Sequence, residues 1–368
     1  MLHLPCRALG LMSGTSLDGV DAALIETDGE RVHAFGPFLT QPWPDGFRDT
    51  LRGILGEKDN TEQVRLAEQT LTDVHARAVS ALLEKAGLGA QDIGIIGFHG
   101  QTILHRPQQR QTRQIGDGAR LAALTGTPVV FDFRSADVSA GGQGAPLVPV
   151  YHQALLGSVA DTTVVLNIGG VANATVITPR GPLMAFDTGP GNALLDDWAQ
   201  RHTGIPADTD GTLAKAGTVD HKALATMLDD PWFHKPPPKS LDRDDFAGMM
   251  RHINSLGATD GAATLTAFTV ESVRLALRWM PTPPDRWLVC GGGRHNPALM
   301  SGLRATLGNV DPVEAVGWNG DALEAQAFAF LAVRHIRGLP QSFPGTTGCP
   351  RPMTGGRLAP VPGHEKPG

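Results

Sequence analysis

The sequence predicts an α/β protein made of two similar halves. Apolar strand segments alternate with helical segments along the chain, a pattern typical of the α/β class. A strand, a glycine turn and a second strand open each half, at LGLMSGTSLDGVDAALI and again at VVLNIGGVANATVI. Such an internal repeat suggests two domains of similar construction that face one another.

The first half is predicted to begin with a β-hairpin. Two apolar runs, Arg7 to Met12 and Val20 to Ile25, flank a turn rich in Gly, Ser and Asp, and a third strand is expected at 32–38. The strongest helix is expected at 61–86, because apolar residues recur there at helical spacing and Gly87 is placed to end it. The other expected elements of this half are strands at 93–98 (ending in HGQT) and 128–133 and a helix at 119–124.

The second half is expected to follow a linker at Ser139 to Pro149, whose low charge indicates a buried hinge more than a solvated tether. The Gly/Pro-rich tail after Pro340 is expected to wrap a surface. Strands are predicted at 162–168, 174–177, 183–186 and 287–290, and helices at 191–201, at 264–279, from about 297 and at 321–336.

Composition excludes several classes of function. Lys plus Arg is 31 and Asp plus Glu is 37, so the net charge of −6 gives no positive field for nucleic acid or an anionic membrane. Aromatic residues make up 5%, too few for a base-stacking platform. The three cysteines lie far apart and fit a reducing compartment. No apolar run approaches the roughly 18 residues of a membrane span, and the N-terminus lacks the pattern of a signal peptide, so we expect a cytoplasmic protein.

Motifs that the chain lacks narrow the chemistry further. It contains no GxxxxGK[ST], no HExxH and no GxSxG, which argues against a P-loop enzyme, that type of metallohydrolase and a serine hydrolase elbow. Glycine turns at strand ends remain, at Gly14, at Gly169-Gly170 and at Gly291-Gly292-Gly293. Glycine lets backbone N–H groups approach an anion, although a single such turn is most often only a hairpin. Three of them, in two halves that echo each other, favour a phosphate clamp.

Seven segments in order along nearly the whole chain carry a resemblance to a known family. They are MSGTSLDGVDAAL, GFHGQT, PVVFDFR, LNIGGVANAT, FDTGPGNALLD, CGGGRHNPAL and DALEAQAFAFLA. The chain resembles the anhydro-N-acetylmuramic acid kinase family, within the actin-like ATPase superfamily of sugar kinases. The resemblance implies an enzyme that uses ATP and water to convert 1,6-anhydro-N-acetylmuramic acid into N-acetylmuramic acid 6-phosphate, in peptidoglycan recycling.

The resemblance also implies a fold and an assembly. We expect two actin-like (ribonuclease H-like) domains, each a mixed sheet flanked by helices, with an ATP cleft between them. The N-terminal domain is expected at 1–138, joined by the tail 339–368, and the C-terminal domain at 139–338. A homodimer is implied by the resemblance alone.

Two carboxylates are the candidate catalytic residues. An anhydro sugar must lose its internal ether when it is phosphorylated, so the enzyme needs a base to activate water. Asp187 falls on the family's catalytic aspartate, and the alternative is that it caps a helix. Glu324 is implied as a second carboxylate facing the sugar, and the alternative is an acid favoured at a helix N-terminus.

Three further residues are candidates for sugar binding. Arg134 could pair with the lactyl carboxylate of muramic acid, although a salt bridge with Asp132 or Asp137 is nearly as plausible. His99 and Gln101 follow a predicted strand and are expected to line the sugar pocket. A histidine satisfied by backbone partners is an equally good interpretation of His99.

The segment 14–21 matches the family's ATP-binding residues one by one: Gly14, Thr15, Ser16, Leu17, Asp18, Gly19, Val20 and Asp21. Gly169, Gly170 and Gly291 to Gly293 are added as candidate nucleotide contacts. Asp18 could hold Mg²⁺ through water, or serve only as a turn residue. The expected cofactors are therefore ATP and Mg²⁺.

Two departures from the family pattern and three rival functions remain. Gln326 stands where the family pattern leads us to expect methionine, and the tail after Pro340 matches loosely. An actin-like ATPase switch or chaperone would turn over ATP without sugar, whereas a kinase for an ordinary sugar hydroxyl would not open a ring. A non-catalytic sugar-binding module would show no affinity for ATP.

Overall fold

The computed structural model describes residues 3–14, 17–242 and 245–363. The first elements are β1 (Cys6–Ser13), β2 (Gly19–Thr27), β3 (Val32–Pro42), α1 (Phe47–Gly53), α2 (Glu62–Ala86), β4 (Ile95–Arg106), β5 (Gln111–Ile115), α3 (Gly118–Thr125), β6 (Val129–Phe131), α4 (Ser135–Ser139) and α5 (Pro149–Leu156). They are followed by β7 (Thr163–Ile168), β8 (Val171–Ile177), β9 (Met184–Pro190), α6 (Ala193–Thr203), α7 (Thr212–Ala216), α8 (His221–Leu228), α9 (Ala258–Ala276), β10 (Arg286–Cys290), α10 (Pro297–Leu307), β11 (Val310–Pro312), α11 (Leu323–Ile336), α12 (Pro344–Thr347) and β12 (Arg357–Ala359).

The chain divides into two compact units, one formed by 1–157 and 322–368 and the other by 158–321. These limits differ from the expected domain bounds at 138/139 and 338/339. Helix α11 belongs to the first unit, because it packs against β1, β2 and β4. The proposed hinge at 139–149 also lies inside the first unit, where the Gln143 amide donates to the Thr347 carbonyl in the tail.

Each unit contains a mixed sheet, and the two sheets have the same topology. In the first unit β3, β2 and β1 are antiparallel neighbours, and β4 and β6 continue the sheet in parallel. In the second unit β9, β8 and β7 are antiparallel and β10 and β11 follow in parallel. The α/β class and the internal repeat expected from the sequence are thus confirmed. The tail contributes β12, which pairs with β6 at the edge of the first sheet.

Local sequence accounts for the clearest helix. Helix α2 begins after Thr61, whose hydroxyl accepts from the Val64 amide, and ends at Gly87 in the left-handed conformation. Its inward face is apolar and packs in the core of the first unit, with Leu71, Val74 and Leu82 fully buried.

Several strands end at places other than those predicted, among them β4, β9 and β6. Strand β4 continues past Phe98 to Arg106, since its outer part pairs with β5 and Gly100 takes a φ of +71°. Strand β9 continues past Phe186 and includes Asp187, with Gly189 at a φ of +154°. Strand β6 is shorter than predicted, because Asp132 adopts a φ of +57° and ends it after Phe131.

Two glycines allow α11 to lie directly on the first sheet. A Cβ atom at Gly10 of β1 would stand 1.7 Å from the Ala325 carbonyl oxygen, and one at Gly97 of β4 would stand 2.0 Å from the Phe328 carbonyl oxygen. Real Cβ atoms do not approach backbone this closely. The absence of side chains at these two positions therefore allows the backbone of α11 to approach β1 and β4 this closely.

Gln326, which departs from the family pattern, has a partner in the core. Its Oε1 accepts from the hydroxyl of Tyr151, the chain's single tyrosine, at 2.9 Å, and both side chains are buried. Burial raises the pKa of Tyr151 well above its usual value, so the hydroxyl keeps its proton and acts as a donor. The amide thus satisfies a phenol that would otherwise be unpaired.

We expect Gln326→Met to destabilise the protein. Methionine packs in a similar space but leaves the buried Tyr151 hydroxyl without an acceptor, which costs about 1–3 kcal/mol. Urea unfolding at neutral pH measures this loss. The double variant Gln326→Met/Tyr151→Phe removes both partners and should regain most of the stability; an unchanged midpoint for Gln326→Met alone would contradict the assignment.

Candidate functional site

Asp187 lies within β9 of the second unit and is nearly enclosed by protein. Its Oδ2 accepts from the Leu241 amide at 2.7 Å, and its own amide donates to the Lys239 carbonyl. Burial raises the pKa of Asp187 to about 7, while the Leu241 N–H and the charge of Lys239 oppose this rise. The N-cap of α6 is Asn192, so Asp187 does not cap that helix. A carboxyl group with a pKa near 7 can exchange a proton with water at neutral pH.

Lys239 is a neighbour of Asp187 that the sequence interpretation missed. Its ammonium group lies 4.0 Å from the centre of the Trp232 ring and within 3.5 Å of the Trp232 carbonyl. Burial lowers the pKa of Lys239 to about 8, with the charge of Arg278 adding to this effect and Asp187 opposing it. The signal in the sequence was a lysine directly after three prolines, in an irregular segment that gives no spatial information.

The glycine turns of the second unit meet one another. The Asn192 amide donates to the Gly169 carbonyl at 2.7 Å, and the Gly191 amide donates to the Gly170 carbonyl. At Gly291, which has a φ of +74°, a Cβ atom would stand 2.6 Å from the Ile168 carbonyl oxygen. The structure therefore brings together the predicted turns at 169–170 and 291–293 and adds the turn after β9.

Arg294 holds the glycine turn after β10 in place. Its Nη1 donates to the Gly291 carbonyl at 3.0 Å, and its buried guanidinium forms ion pairs with Glu314 and Asp321. The sequence interpretation did not single out Arg294, because its partners lie 20 and 27 residues away. Gly292 remains open, since a Cβ atom there would contact only the Asn192 amide group, at 3.6 Å.

In the first unit, the segment 14–21 connects β1 to β2. Thr15 and Ser16 lie outside the described residues. The Leu17 amide donates to the Gly14 carbonyl at 3.2 Å, and Leu17 takes a φ of +56°. Asp18 is exposed and forms an ion pair with Arg48, which also donates to the Leu17 carbonyl.

The rest of the segment belongs to β2. Gly19 opens the strand, and a Cβ atom there would stand 2.6 Å from the Gln41 carbonyl oxygen. The Val20 side chain is buried in the hydrophobic core of the first unit. Asp21 accepts from the Thr40 hydroxyl at 2.6 Å. The nucleotide contacts assigned to this segment stay a prediction.

Arg134, His99 and Gln101 lie close together in the first unit. The Arg134 Nε donates to His99 Nε2 at 3.1 Å, while His99 Nδ1 donates to the Gly100 carbonyl at 2.7 Å. Burial and the nearby Arg134 charge lower the pKa of His99 well below its usual value, so the ring is neutral. Gln101 Nε2 donates to the Gly14 carbonyl, which ties β4 to the start of the segment 14–21.

Arg134 makes neither of the salt bridges considered as alternatives for it. Among the described residues it has no ion pair with Asp132 or Asp137; besides the His99 contact, its Nη1 donates to the Gly144 carbonyl at 2.7 Å. Burial lowers the pKa of Arg134 to about 10, and the charges of Glu324 and Asp137 oppose this. Arg134 follows β6 and directly precedes α4.

Glu324 lies in the first turn of α11, where a carboxylate is favoured. Loss of hydration raises the pKa of Glu324, the charge of Asp21 adds to this rise and Arg134 opposes it, although the side chain keeps contact with solvent. Glu324 therefore shares a local electrostatic environment with Arg134 and Asp21. Its helix-terminal position and a role in binding are compatible with each other.

Comparison with known proteins gives the family. The sequence pattern of the family described as anhydro-N-acetylmuramic acid kinase matches residues 6–361. The anhydro-N-acetylmuramic acid kinase of Paramagnetospirillum magneticum is 58% identical over 352 residues, covering 95% of this chain and 98% of the relative. That of Rhodospirillum rubrum is 54% identical over 358 residues, covering 96% and 94%. The chain belongs to the anhydro-N-acetylmuramic acid kinase family.

Likeness to solved structures is weaker. A ROK family glucokinase from Streptomyces griseus, in complex with glucose and AMPPNP, has a TM-score of 0.40 at 14% identity, covering 89% of this chain and 99% of that one. Component A of the Acidaminococcus fermentans (R)-2-hydroxyglutaryl-CoA dehydratase has a TM-score of 0.45 at 13% identity, covering 89% and 98%. Membership of the anhydro-N-acetylmuramic acid kinase family thus rests on the sequence relatives.

Membership of the anhydro-N-acetylmuramic acid kinase family makes the chain a phosphotransferase that uses ATP and acts on a small sugar. Within the described parts of the chain, no helix is long and apolar enough to cross a membrane. The same parts contain no group of three or more His, Cys, Asp or Glu side chains arranged to hold a metal ion.

Proposed function

We propose that this enzyme opens 1,6-anhydro-N-acetylmuramic acid with water and phosphorylates it with ATP, giving N-acetylmuramic acid 6-phosphate and ADP in peptidoglycan recycling. The relatives that are 58% and 54% identical carry the name of this kinase. The observation that carries the mechanism is the enclosed Asp187 carboxyl group with its pKa of about 7. A reaction that consumes water at a sugar carbon needs a base of this strength.

In the proposed reaction Asp187 is the general base. Its Oδ2 is held by the Leu241 amide, whereas its Oδ1 has no partner among the described residues and can accept a proton from water. The water oxygen bonds to the anomeric carbon, and the bond from that carbon to O6 breaks. The O6 oxygen takes the γ-phosphoryl group and ADP leaves. The proton on Asp187 then passes to solvent, which returns the carboxylate to its ionised form for the next turnover.

The sugar-binding roles fall on the first unit. Arg134 uses Nε and Nη1 for His99 and Gly144, so its Nη2, unpartnered among the described residues, is the group we assign to the lactyl carboxylate. His99 is neutral and acts as an acceptor that orients Arg134. Glu324 accepts hydrogen bonds from sugar hydroxyls or orients the water, and the Gln101 amide lines the same region.

For the nucleotide, we assign the phosphates to the backbone of Gly14 to Asp21, including Thr15 and Ser16, and of the turns at 169–170 and 291–293. Gly170 and Gly292 are exposed, so the backbone of these two turns is accessible to a ligand. Asp18, an exposed carboxylate, suits Mg²⁺, which usually keeps several waters and takes only one or two carboxylates besides phosphate. When bound, Mg²⁺ would neutralise phosphate charge.

The setting of the enzyme is also part of the proposal. All three cysteines are free thiols, which fits an enzyme that acts in the reducing cytoplasm. The homodimer implied by the family resemblance is proposed on that resemblance alone.

Oxygen labelling tests the proposed reaction. In ¹⁸O-enriched water, analysed before the anomeric position exchanges, the label should appear on the anomeric carbon of the product and not in its phosphoryl group. A loose phosphoryl-transfer transition state needs a well-aligned oxygen more than a strong nucleophile, so the freed O6 is sufficient. Label in inorganic phosphate with an intact anhydro ring would indicate an uncoupled ATPase, and turnover of an ordinary hexose in its place would indicate a different sugar kinase.

A further inference from the structure

A buried carboxylate connects the Gly/Pro-rich tail to the segment around Arg134. Asp137 of α4 is 1% exposed, and its Oδ2 accepts from the hydroxyls of Ser342 and Thr347, the latter at 2.6 Å. Both hydroxyls belong to the tail and are themselves buried. The tail therefore supplies the two side-chain donors that satisfy this oxygen.

The other oxygen of Asp137 holds the loop that follows α4. Its Oδ1 accepts from the Gly144 amide at 2.7 Å, while the Gly142 amide donates to the Asp137 carbonyl. A Cβ atom at Gly142 would stand 2.1 Å from Oδ1, so this contact requires glycine. The Gln143 amide adds a bond to the Thr347 carbonyl at 2.6 Å. The loop 142–144 is thus fastened to Asp137 and to the tail together.

The same loop orients Arg134. The Gly144 carbonyl accepts from Arg134 Nη1 at 2.7 Å, and Gly144 is fixed by its amide on Asp137. With Nε on His99 as well, the planar guanidinium has two of its three nitrogens held, and the direction of Nη2 follows from them. A displacement of Gly144 would therefore turn Nη2 away from its ligand.

We propose that Ser342 and Thr347, acting through Asp137 and Gly144, are positioning residues for Arg134, and that the tail thereby sets the enzyme's preference for a sugar that bears a carboxylate. This inference rests on the proposed function, in which Arg134 binds the lactyl carboxylate. It gives a specific role to the tail after Pro340, which the sequence analysis expected only to wrap a surface. In this proposal the hydroxyls do not contact the sugar and act on Arg134 through the carboxylate between them.

The test compares two sugars in the double variant Ser342→Ala/Thr347→Val. We expect the KM for 1,6-anhydro-N-acetylmuramic acid to rise about tenfold, because one positioned ionic hydrogen bond is weakened, while kcat changes by less than about twofold. The inhibition constant of 1,6-anhydro-N-acetylglucosamine, which lacks the lactyl group, should stay unchanged. Thr346→Val is the matched control, since among the described residues its buried hydroxyl bonds only within the turn at Phe343.

Each outcome has a definite meaning. If the double variant binds both sugars more weakly by the same factor, or binds both as well as wild type does, the positioning role is overturned. The variant Arg134→Ala, measured alongside, tests the proposed function separately. If it weakens the binding of both sugars by the same factor, Arg134 does not bind the lactyl carboxylate, whatever role the tail has. If the double variant does not fold, the single variant Ser342→Ala, which keeps the bond from Thr347, replaces it. The single variant should then show a smaller rise in the KM for 1,6-anhydro-N-acetylmuramic acid, again with no change for the sugar that lacks the lactyl group.

Discussion

Asp187→Asn is expected to lower kcat by about 10²–10⁴-fold while the affinity for ATP stays within a few-fold. Asparagine has the same shape and can still accept from the Leu241 amide, but it cannot take a proton from water. Steady-state kinetics with both substrates, together with nucleotide binding by calorimetry, measure the two quantities. A variant with near-normal turnover would rule out Asp187 as the base.

The pH dependence gives a second measurement on Asp187. The base must be ionised, so kcat/KM of the wild-type enzyme should rise with pH through about 7 and level off above it. The usual pKa of an aspartate is 3.8, so the folded state holds the proton more tightly than the unfolded chain does. Folding then becomes less favourable as pH rises between these two values. The asparagine side chain of Asp187→Asn cannot ionise, and the variant should gain thermal stability relative to wild type, more at pH 8 than at pH 5.

Asp208→Asn is the matched control for this variant. Asp208 is also a buried aspartate of the second unit, and its carboxylate accepts from the Leu213 and Ala214 amides. The change should leave kcat near the wild-type value. A comparable loss of rate in Asp208→Asn would mean that damage to the second unit, not loss of a base, explains the effect at Asp187.

Gly10→Ala is expected to destabilise the protein and also to impair catalysis. The new methyl carbon would stand 1.7 Å from the Ala325 carbonyl oxygen, so α11 must move away from β1. Overpacking of this kind costs about 1–3 kcal/mol and more where backbone is the obstacle. Glu324 directly precedes Ala325, and a displacement of about 1 Å can lower a rate about 100-fold. Thermal unfolding and kcat, measured at a temperature where the variant is folded, report the two effects.

Gly53→Ala is the control for a methyl group added in the same unit. Gly53 is exposed at the end of α1, and a Cβ atom there would only touch the Gln63 side chain, at 3.4 Å. Stability and kcat should remain near the wild-type values. If Gly10→Ala behaves like Gly53→Ala, then α11 does not lie against β1 as closely as described.

Local chemistry explains what the sequence alone determined. The span of α2 follows from apolar spacing with Thr61 before it and Gly87 after it, and these interactions lie within one turn of the helix. The paired hairpins follow from apolar runs around glycine turns, which is why the repeat of the two sheets could be expected. The proposed roles of Asp187 and Glu324 came from the family motifs, because the spacing of apolar residues predicts helices and strands but not catalytic residues.

Only the tertiary structure decided which distant groups meet. The partners of Arg134 are His99 and Gly144 and not a nearby aspartate, because backbone at Asp132 takes a positive φ and ends β6 before Arg134. Burial raises the pKa of Asp187, and the two groups that oppose this rise, the Leu241 N–H and the charge of Lys239, lie more than 50 positions away in the sequence. The limits of the two units follow from the packing of α11, which two glycines on separate strands permit. The partners of Arg134, the pKa of Asp187 and the limits of the units all depend on desolvation or close contact between segments that are remote in sequence. Such desolvation and contact arise only when the chain folds.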